Sequence, residues 1–327
     1  MASPNSTFTE MVSTTLREHR KEFTDNVTNH NALSMRLNKK GRLRTIDGGY
    51  SIVEPLDYAE NGTYQRYSGY QTLNVSASEV LSAAEFAWKQ AAIHVTASGL
   101  ELRNNAGKNR LIALAKARMT NAMRSAKNNM SADIYSAGTE TNQINGLQAL
   151  VADAGTGTVG GINSGTAAFA FWKNIVQSCA APLQGGSTIT ASKSTIQSLL
   201  LPAWLAVTQG NENPDLIVMD DTYFQFYEES LTDNKRYVND DKSATGGFVS
   251  LKYKSADVFF DSLASGMPDA HAYILNTDYL GLVVHEDANW TEVGDQRAVN
   301  QDAVVMPIIW QGNLVTSNRR RHCVVKA

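Results

Sequence analysis

Apolar residues recur at three- and four-residue intervals in two stretches, one near the start and one in the first half of the chain. The first stretch, residues 8–24, opens with the capping-box spacing of Thr7 and Glu10 and predicts an amphipathic helix. The second, residues 104–137, predicts a helix on the order of 45 Å long that ends at Gly138. Its apolar face is formed by Leu111, Ala115, Met119, Ala122, Ala126, Met130 and Ile134.

Residues 46–98, which precede the long helix, lack helical periodicity. The stretches 50–58 and 86–96 are typical of extended strands, and Asn61-Gly62 is a hairpin-turn signal. Few apolar residues here could close a core. We therefore expect a projecting element that packs on a neighbouring molecule.

From residue 146 onward, helical and extended patterns alternate. Helices are predicted at 167–180, 192–207 and 222–231, and Asp221 is the expected cap of the last one. Strands are predicted at 214–220, 247–254, 256–261, 271–276 and 281–285. Two final strands, 304–311 and 320–325, are expected to pair as a hairpin. This mixture of helices and strands predicts an α+β fold, and the chain shows no internal repeat.

Composition narrows the class of protein. The 327 residues suffice for about two domains with cores of their own. Charged residues make up 19% of the chain, below the roughly 25% usual in globular domains. Small and uncharged polar residues take their place, which suggests that much of the surface meets other protein.

Targeting and membrane signals are not found in the sequence. Residues 1–8 lack the basic and apolar regions of a secretory signal. The longest apolar run, residues 199–207, is far shorter than the ~20 residues of a membrane span. Cys179 and Cys323 fit neither a metal site nor a disulfide framework. We expect a soluble protein of a reducing compartment, with no membrane partner.

Charge is distributed unevenly along the chain. Residues 17–44 carry eight Lys or Arg against three acidic residues, and residues 99–130 carry seven against one. Residues 209–302 reverse the balance, with six basic and eighteen acidic residues. Residues 27–44 have little periodicity and end in a basic run, so they predict an extended arm. The basic surface is either solvated or paired with the acidic region, or it faces a polyanion without reading its sequence.

Candidate catalytic and cofactor motifs are weak. Residues 155–160 match G-x-G-x-x-G, but no helix starts at the last glycine and no acid follows about 20 residues later, so we interpret them as a flexible loop. Residues 285–287, His-Glu-Asp, would point to alternate faces of a strand, and no nucleophile elbow occurs. Asp220-Asp221 is explained by a helix cap. We predict no catalytic, metal or cofactor site.

The order of elements resembles the major capsid protein of tailed bacteriophages, with the Hong Kong 97-like capsid fold. That order is a basic N-terminal arm, a projecting hairpin, a long helix, a mixed α/β region and returning C-terminal strands. Residues 48–98 are similar to the E-loop of that family, and residues 100–105 lead into a helix similar to its spine helix. The strand at 214–221 followed by the helix at 223–230 resembles a unit of its axial domain.

The resemblance implies a domain organisation and a role. Residues 1–45 would form the N-terminal arm, 46–98 the E-loop, 99–145 with 288–327 the peripheral domain, and 146–287 the axial domain. Hexamers and pentamers would build an icosahedral shell around double-stranded DNA, in a virion assembled in the cytoplasm of a host bacterium. The protein would not be an enzyme.

The resemblance also implies site residues and partners. Candidate DNA-facing residues are Arg17, Arg20, Lys21, Lys39, Lys40, Arg42, Arg44, Lys116, Arg124 and Lys127. Candidate inter-subunit residues of the E-loop are Tyr58, Asn61, Gly62, Tyr64, Arg66, Tyr67 and Tyr70. Partners would be copies of the chain itself, packaged DNA bound non-specifically, a portal, a decoration protein and a separate scaffolding protein. The scaffolding protein is expected to be separate because only about 45 residues precede the hairpin, too few for a built-in scaffolding segment.

Two other classes of function stay open at this point. A non-specific nucleic-acid-binding protein could use the basic arm and helix. An α+β enzyme could build its site from scattered residues.

Overall fold

The computed structural model describes residues 31–104, 108–231, 250–262, 265–294, 296–297 and 302–327. Its helices are α1 Ala32–Lys39, α2 Gly99–Asn104, α3 Lys108–Tyr135, α4 Leu147–Leu150, α5 Ile196–Val207 and α6 Asp221–Ser230. Its strands are β1 Leu43–Ile46, β2 Ile52–Asp57, β3 Leu81–Phe86, β4 Lys89–Ser98, β5 Thr158–Val159, β6 Ile162–Asn163, β7 Ile175–Ser178, β8 Leu216–Met219, β9 Ser250–Tyr253, β10 Ala256–Phe260, β11 His271–Leu275, β12 Leu280–Glu292, β13 Gln296–Arg297, β14 Ala303–Thr316 and β15 Cys323–Lys326. The helix predicted at residues 8–24 lies outside the described residues.

The long helix α3 packs beside a five-stranded sheet. In that sheet β14 is paired with β12, β13 and β4, and β1 runs parallel to the outer side of β12. The face of α3 that the sequence predicted to be apolar is buried from Met119 to Ile134. Gly138 follows with φ of +65°, a conformation that suits the end of a helix. The predicted long helix is confirmed.

A six-stranded sheet forms the second layer, in the order β7-β15-β11-β8-β10-β9. Strand β8 is buried along its whole length, as the predicted strand at 214–220 requires. Helices α5 and α6 cover one face of this sheet. The cap of α6 is Asp220, whose side chain accepts a hydrogen bond from the backbone of Tyr223 at 3.0 Å. The predicted cap, Asp221, is the first residue of the helix instead.

Two predictions for the α/β region are wrong. Residues 167–180 are not one helix: a 3-10 segment, Ala167–Trp172, leads into strand β7. The two final strands do not pair as a hairpin. Strand β14 lies in the five-stranded sheet, whereas β15 lies between β7 and β11 in the other. Each strand is largely buried and fits an interior position, so pairing depends on the whole fold and not on proximity along the chain.

The predicted extended arm is also wrong for the part that the structure describes. Ala32–Lys39 form α1, and Asn31 caps it by accepting a hydrogen bond from the Ser34 backbone at 2.7 Å. Leu33 and Leu37, four residues apart, bury the same face of this helix in the core. Strand β1 then joins the five-stranded sheet.

Strands β2 and β3 pair as a separate two-stranded hairpin whose ends are connected by residues 58–80. Asn61-Gly62 lies inside this long connection and does not join the two strands directly, contrary to the hairpin-turn prediction. The prediction that residues 46–98 lack a core is also wrong. Alternate residues of the hairpin, including Ile52 and Phe86, are buried in the main core, and β4 belongs to the five-stranded sheet.

Candidate functional site

The connection at residues 58–80 is the most exposed apolar feature of the described chain, and it is named the tyrosine loop below. Tyr64, Tyr67 and Tyr70 are 82%, 65% and 108% exposed, and Leu73 and Val75 are exposed beside them. Large exposed apolar patches are uncommon on monomers, so this group of exposed aromatic side chains is the candidate surface for contact with protein.

Hydrogen bonds give the tyrosine loop a defined shape although it contains no strand. The Asn61 side chain accepts hydrogen bonds from the Thr63 backbone at 3.0 Å and from the Ser78 hydroxyl at 3.2 Å, which ties its two sides together. Gln65 donates to the Thr72 carbonyl at 3.1 Å and accepts from the Asn74 backbone at 3.2 Å. The tyrosines are therefore presented on a closed loop.

The base of the loop is anchored to the rest of the molecule. The ring of Tyr58 packs against Phe171 with centroids 5.5 Å apart. At the other end of the hairpin, Arg44 forms an ion pair with the buried carboxylate of Glu54. The backbone of Glu85 donates to Gly160 at 3.0 Å. The hairpin thus leaves the body of the protein at a fixed position.

Three of the five basic residues of segment 31–46 are paired with carboxylates of the acidic region, residues 209–302. Arg36 contacts Asp257 at 2.8 Å, and Lys40 contacts Asp215 at 2.8 Å. Arg42 contacts Asp278 at 2.9 Å. Three of the candidate DNA-facing residues, Lys40, Arg42 and Arg44, therefore have carboxylate partners within the chain, and Lys39 lies exposed at the end of α1. Arg17, Arg20 and Lys21 lie outside the described residues.

Asp215 is the centre of this ionic cluster. Burial alone would raise its pKa, but hydrogen bonds from Lys40 and from the backbone and hydroxyl of Thr277 outweigh that effect, so its pKa is lowered. The carboxylate stays charged and holds segment 31–46 against the six-stranded sheet.

The remaining candidate basic residues lie on α3. Lys116 and Arg124 are exposed and eight residues apart, which places them on one face of the helix, with Lys127 half-buried near Arg124. Neither Lys116 nor Arg124 has a carboxylate partner among the residues that the structure describes. By contrast, Arg118 contacts Glu101 at 2.6 Å. At Lys116 and Arg124, α3 thus carries exposed positive charge with no carboxylate partner in the described part of the chain.

The two motifs that the sequence offered for chemistry form turns and a strand irregularity in the described structure. The glycine motif forms a tight hairpin between β5 and β6, with Gly160 and Gly161 at positive φ. The imidazole of His285 accepts a hydrogen bond from the Asp287 backbone at 3.1 Å where the pairing of β12 is irregular. Among the described residues, no group of three His, Cys, Asp or Glu side chains is placed to hold a metal ion. No described helix is both long and apolar enough to cross a membrane.

An open cleft of about 810 Å³ separates the base of the tyrosine loop from the end of α5. Its described lining combines Asp57, Glu60, Arg320 and Arg321 with neutral residues, and it includes neither a histidine nor a cysteine.

Sequence reasoning missed a structural arginine. Arg319 is fully buried and donates to the Leu150 carbonyl at 2.7 Å and to the Asn174 side chain at 3.0 Å. Burial lowers its pKa to about 10. It belongs to the run Arg319-Arg320-Arg321, which is typical of a solvated basic surface, so no signal in the sequence singled it out.

Comparison with known proteins identifies the fold. No protein-family model and no curated protein sequence matches the chain. Among solved structures, the capsid asymmetric unit of cyanophage A-1(L) matches with a TM-score of 0.64 and 16% identity, covering 88% of this chain and 91% of that one. A protein of Mycobacterium phage Bobi matches with a TM-score of 0.51 and 10% identity, covering 88% and 89%. The capsid of a native GTA particle matches with a TM-score of 0.50 and 13% identity, covering 88% of both chains. The chain has the phage capsid fold that the sequence predicted.

Proposed function

We propose that this chain is the major capsid protein of a tailed bacteriophage, a structural protein and not an enzyme. Copies of it assemble as hexamers and pentamers into an icosahedral shell that encloses double-stranded DNA. The observation that carries the proposal is the likeness to the cyanophage capsid subunit over 88% of the chain at a TM-score of 0.64.

The tyrosine loop supports self-assembly. Its exposed aromatic side chains, with Arg66 between them, gain burial only against another molecule, and a second copy of the chain is always present in a shell. Tyrosine suits this role because a large ring is ordered at low entropic cost while its hydroxyl can still bond at the rim of an interface.

The exposed face of α3 supports a position on the inner surface of the shell. Lys116 and Arg124 are free of described carboxylate partners and could balance phosphate charge without contacts to bases. Segment 31–46 is less suited to that role because its arginines and Lys40 are already paired.

The domain organisation follows from this role. We assign residues 1–45 to the arm, 46–98 to the E-loop, 99–145 with 288–327 to a peripheral domain and 146–287 to an axial domain. A portal, a separate scaffolding protein and a decoration protein are the further partners of such a shell.

Assembly is tested by replacing Tyr64, Tyr67 and Tyr70 together with serine. Wild-type protein should form capsomers or shells in light scattering and negative-stain microscopy. In the variant, the protein concentration needed for assembly should rise more than about tenfold, because truncating one interface tyrosine costs on the order of 2 kcal/mol.

Leu205→Ser is the control, since Leu205 is 61% exposed on α5, outside residues 46–98 that we assign to the E-loop. It should assemble like wild type. Circular dichroism should show both variants folded. A wild-type protein that stays monomeric at high concentration would contradict the capsid role, whereas normal assembly of the triple variant would contradict only the role of the loop.

A further inference from the structure

His271 lies between two hydrogen-bond acceptors at the start of β11. Its Nδ1 atom is 2.6 Å from the backbone carbonyl oxygen of Asp269, and its Nε2 atom is 3.1 Å from a carboxylate oxygen of Asp153. A neutral imidazole carries one N–H, so it can donate to only one of these acceptors. Both contacts are hydrogen bonds at the same time only when the ring is protonated.

The groups around His271 favour its positive charge. Asp153 faces it from the loop after α4, Asp269 from the preceding turn, and Asp220 from the end of β8. Lys326, at the end of β15, is the nearby cation that acts on Asp153, and the ring of Tyr273 stacks at 6.3 Å between centroids. Burial opposes the charge, but the hydrogen bonds to Asp153 and Asp269 outweigh it, so the pKa of His271 is raised.

Asp153 belongs to the segment that supports the projecting hairpin. That segment runs from Val151 to the tight turn between β5 and β6. At this turn Gly160 lies against Ala84 and accepts a hydrogen bond from the Glu85 backbone at 3.0 Å. The only other polar atom of the Asp153 carboxylate, Oδ1, is buried and has no partner among the described residues.

We propose that the contact between His271 and Asp153 is a pH-dependent tether that holds residues 151–163, and through Gly160 the base of the β2–β3 hairpin, to the six-stranded sheet. Because only the protonated ring donates to Asp269 and Asp153 at once and attracts the Asp153 carboxylate by charge, the tether is complete at mildly acidic pH. It is lost as pH rises through the pKa of His271 in the folded protein. This inference does not depend on the capsid role.

Hydrogen–deuterium exchange of the purified full chain tests the tether. Exchange of peptides from residues 151–163 is followed between about pH 5.5 and about pH 8.5, either side of the usual pKa of histidine, and corrected for the intrinsic pH dependence of amides. The corrected rate should rise about tenfold across this range, as expected for losing one hydrogen bond to a charged group. A flat corrected rate in the wild type would overturn the proposal without any variant.

Three variants identify the groups involved. Asp153→Asn and His271→Gln should each give the fast rate at both ends of the range and so abolish the pH dependence. His94→Gln, which replaces an exposed histidine on β4, should behave like wild type. Retention of the wild-type pH dependence in Asp153→Asn, with circular dichroism showing a folded protein, would also overturn the tether.

Discussion

At the scale of single residues, Gly160 decides how closely two hairpins of the molecule approach. A Cβ atom at this position would lie 2.7 Å from the Cβ of Ala84, nearer than such atoms come in real proteins. Its backbone φ of +58° also favours glycine. The glycine motif that we interpreted as a flexible loop is therefore a turn shaped to receive strand β3.

Gly160→Ala should lower the free energy of unfolding by about 2–4 kcal/mol. About 1 kcal/mol comes from placing a side chain at positive φ, and the rest from overpacking against Ala84. Urea unfolding followed by tryptophan fluorescence measures the loss.

Gly161→Ala provides the comparison for this prediction. Gly161 has a φ of +76°, but an added Cβ would meet no atom within 4 Å. This variant should therefore lose only the backbone part, about 1 kcal/mol. Equal losses in the two variants would show that contact with Ala84 does not matter.

At the scale of elements, segment 31–46 links the two large sheets. Strand β1 pairs with β12 in the five-stranded sheet, while Arg36 of α1 and Lys40, the residue after α1, reach Asp257 and Asp215 at the six-stranded sheet. The basic charge that the sequence places in this segment stabilises the fold through specific pairs.

Asp215→Asn should destabilise the protein by about 2 kcal/mol, because it weakens charged hydrogen bonds in a mostly buried cluster. Asp278→Asn is the control. Asp278 also contacts Lys40, but its side chain is 56% exposed against 16% for Asp215, so its loss should stay below about 1 kcal/mol. Urea unfolding near neutral pH measures the free energy of unfolding of both variants. Equal losses would show that burial of the carboxylate does not set the strength of these ion pairs.

The Asp215 cluster also has a pH dependence of definite sign. Because the pKa of Asp215 is lowered in the folded protein, its contribution is present above the ordinary aspartate pKa of about 4 and is lost as pH falls through the lowered value. The difference in stability between wild type and Asp215→Asn should accordingly shrink on acidification.

Elements whose burial follows from the pattern of apolar residues within the element itself were predicted well. The apolar face of α3 and the four buried residues of β8 were identified directly. The neighbours of β15 were not predicted, because they are distant in the sequence. Strands β7 and β11 begin 148 and 52 residues before β15. Likewise, the ion pair of Lys40 with Asp215 could not be predicted, because counting charges along the chain does not show which distant residues the fold brings together. Of the candidate site, the exposed loop tyrosines were predicted, whereas the anchors at Gly160 and Phe171 were not.

At the scale of the whole molecule, the surface carries two features suited to different partners. The tyrosine loop offers exposed aromatic area, and α3 offers the exposed cations Lys116 and Arg124, which have no carboxylate partner among the described residues. In a shell, the first would contact a neighbouring subunit and the second would face packaged DNA.

Changing Lys116, Arg124 and Lys127 together to glutamate should impair stable DNA filling more than shell formation, since the change replaces attraction to phosphate by repulsion. The measurement is the ratio of DNA-filled to empty particles in a density gradient. The matched glutamine variant should give an intermediate ratio. An unchanged ratio of DNA-filled to empty particles in the glutamate variant would show that this face of α3 does not lie on the inner surface of the shell.

Strand β15 has a consequence for how the protein is made. It occupies an interior place between β7 and β11, yet it consists of residues 323–326, which the ribosome adds long after both of its neighbours. The six-stranded sheet remains open along its middle until translation has passed residue 326. Whatever the earlier parts of a nascent chain have formed, this sheet closes only after β15 has been made. A nascent chain that ends before residue 323 therefore lacks the strand that joins β7 to β11.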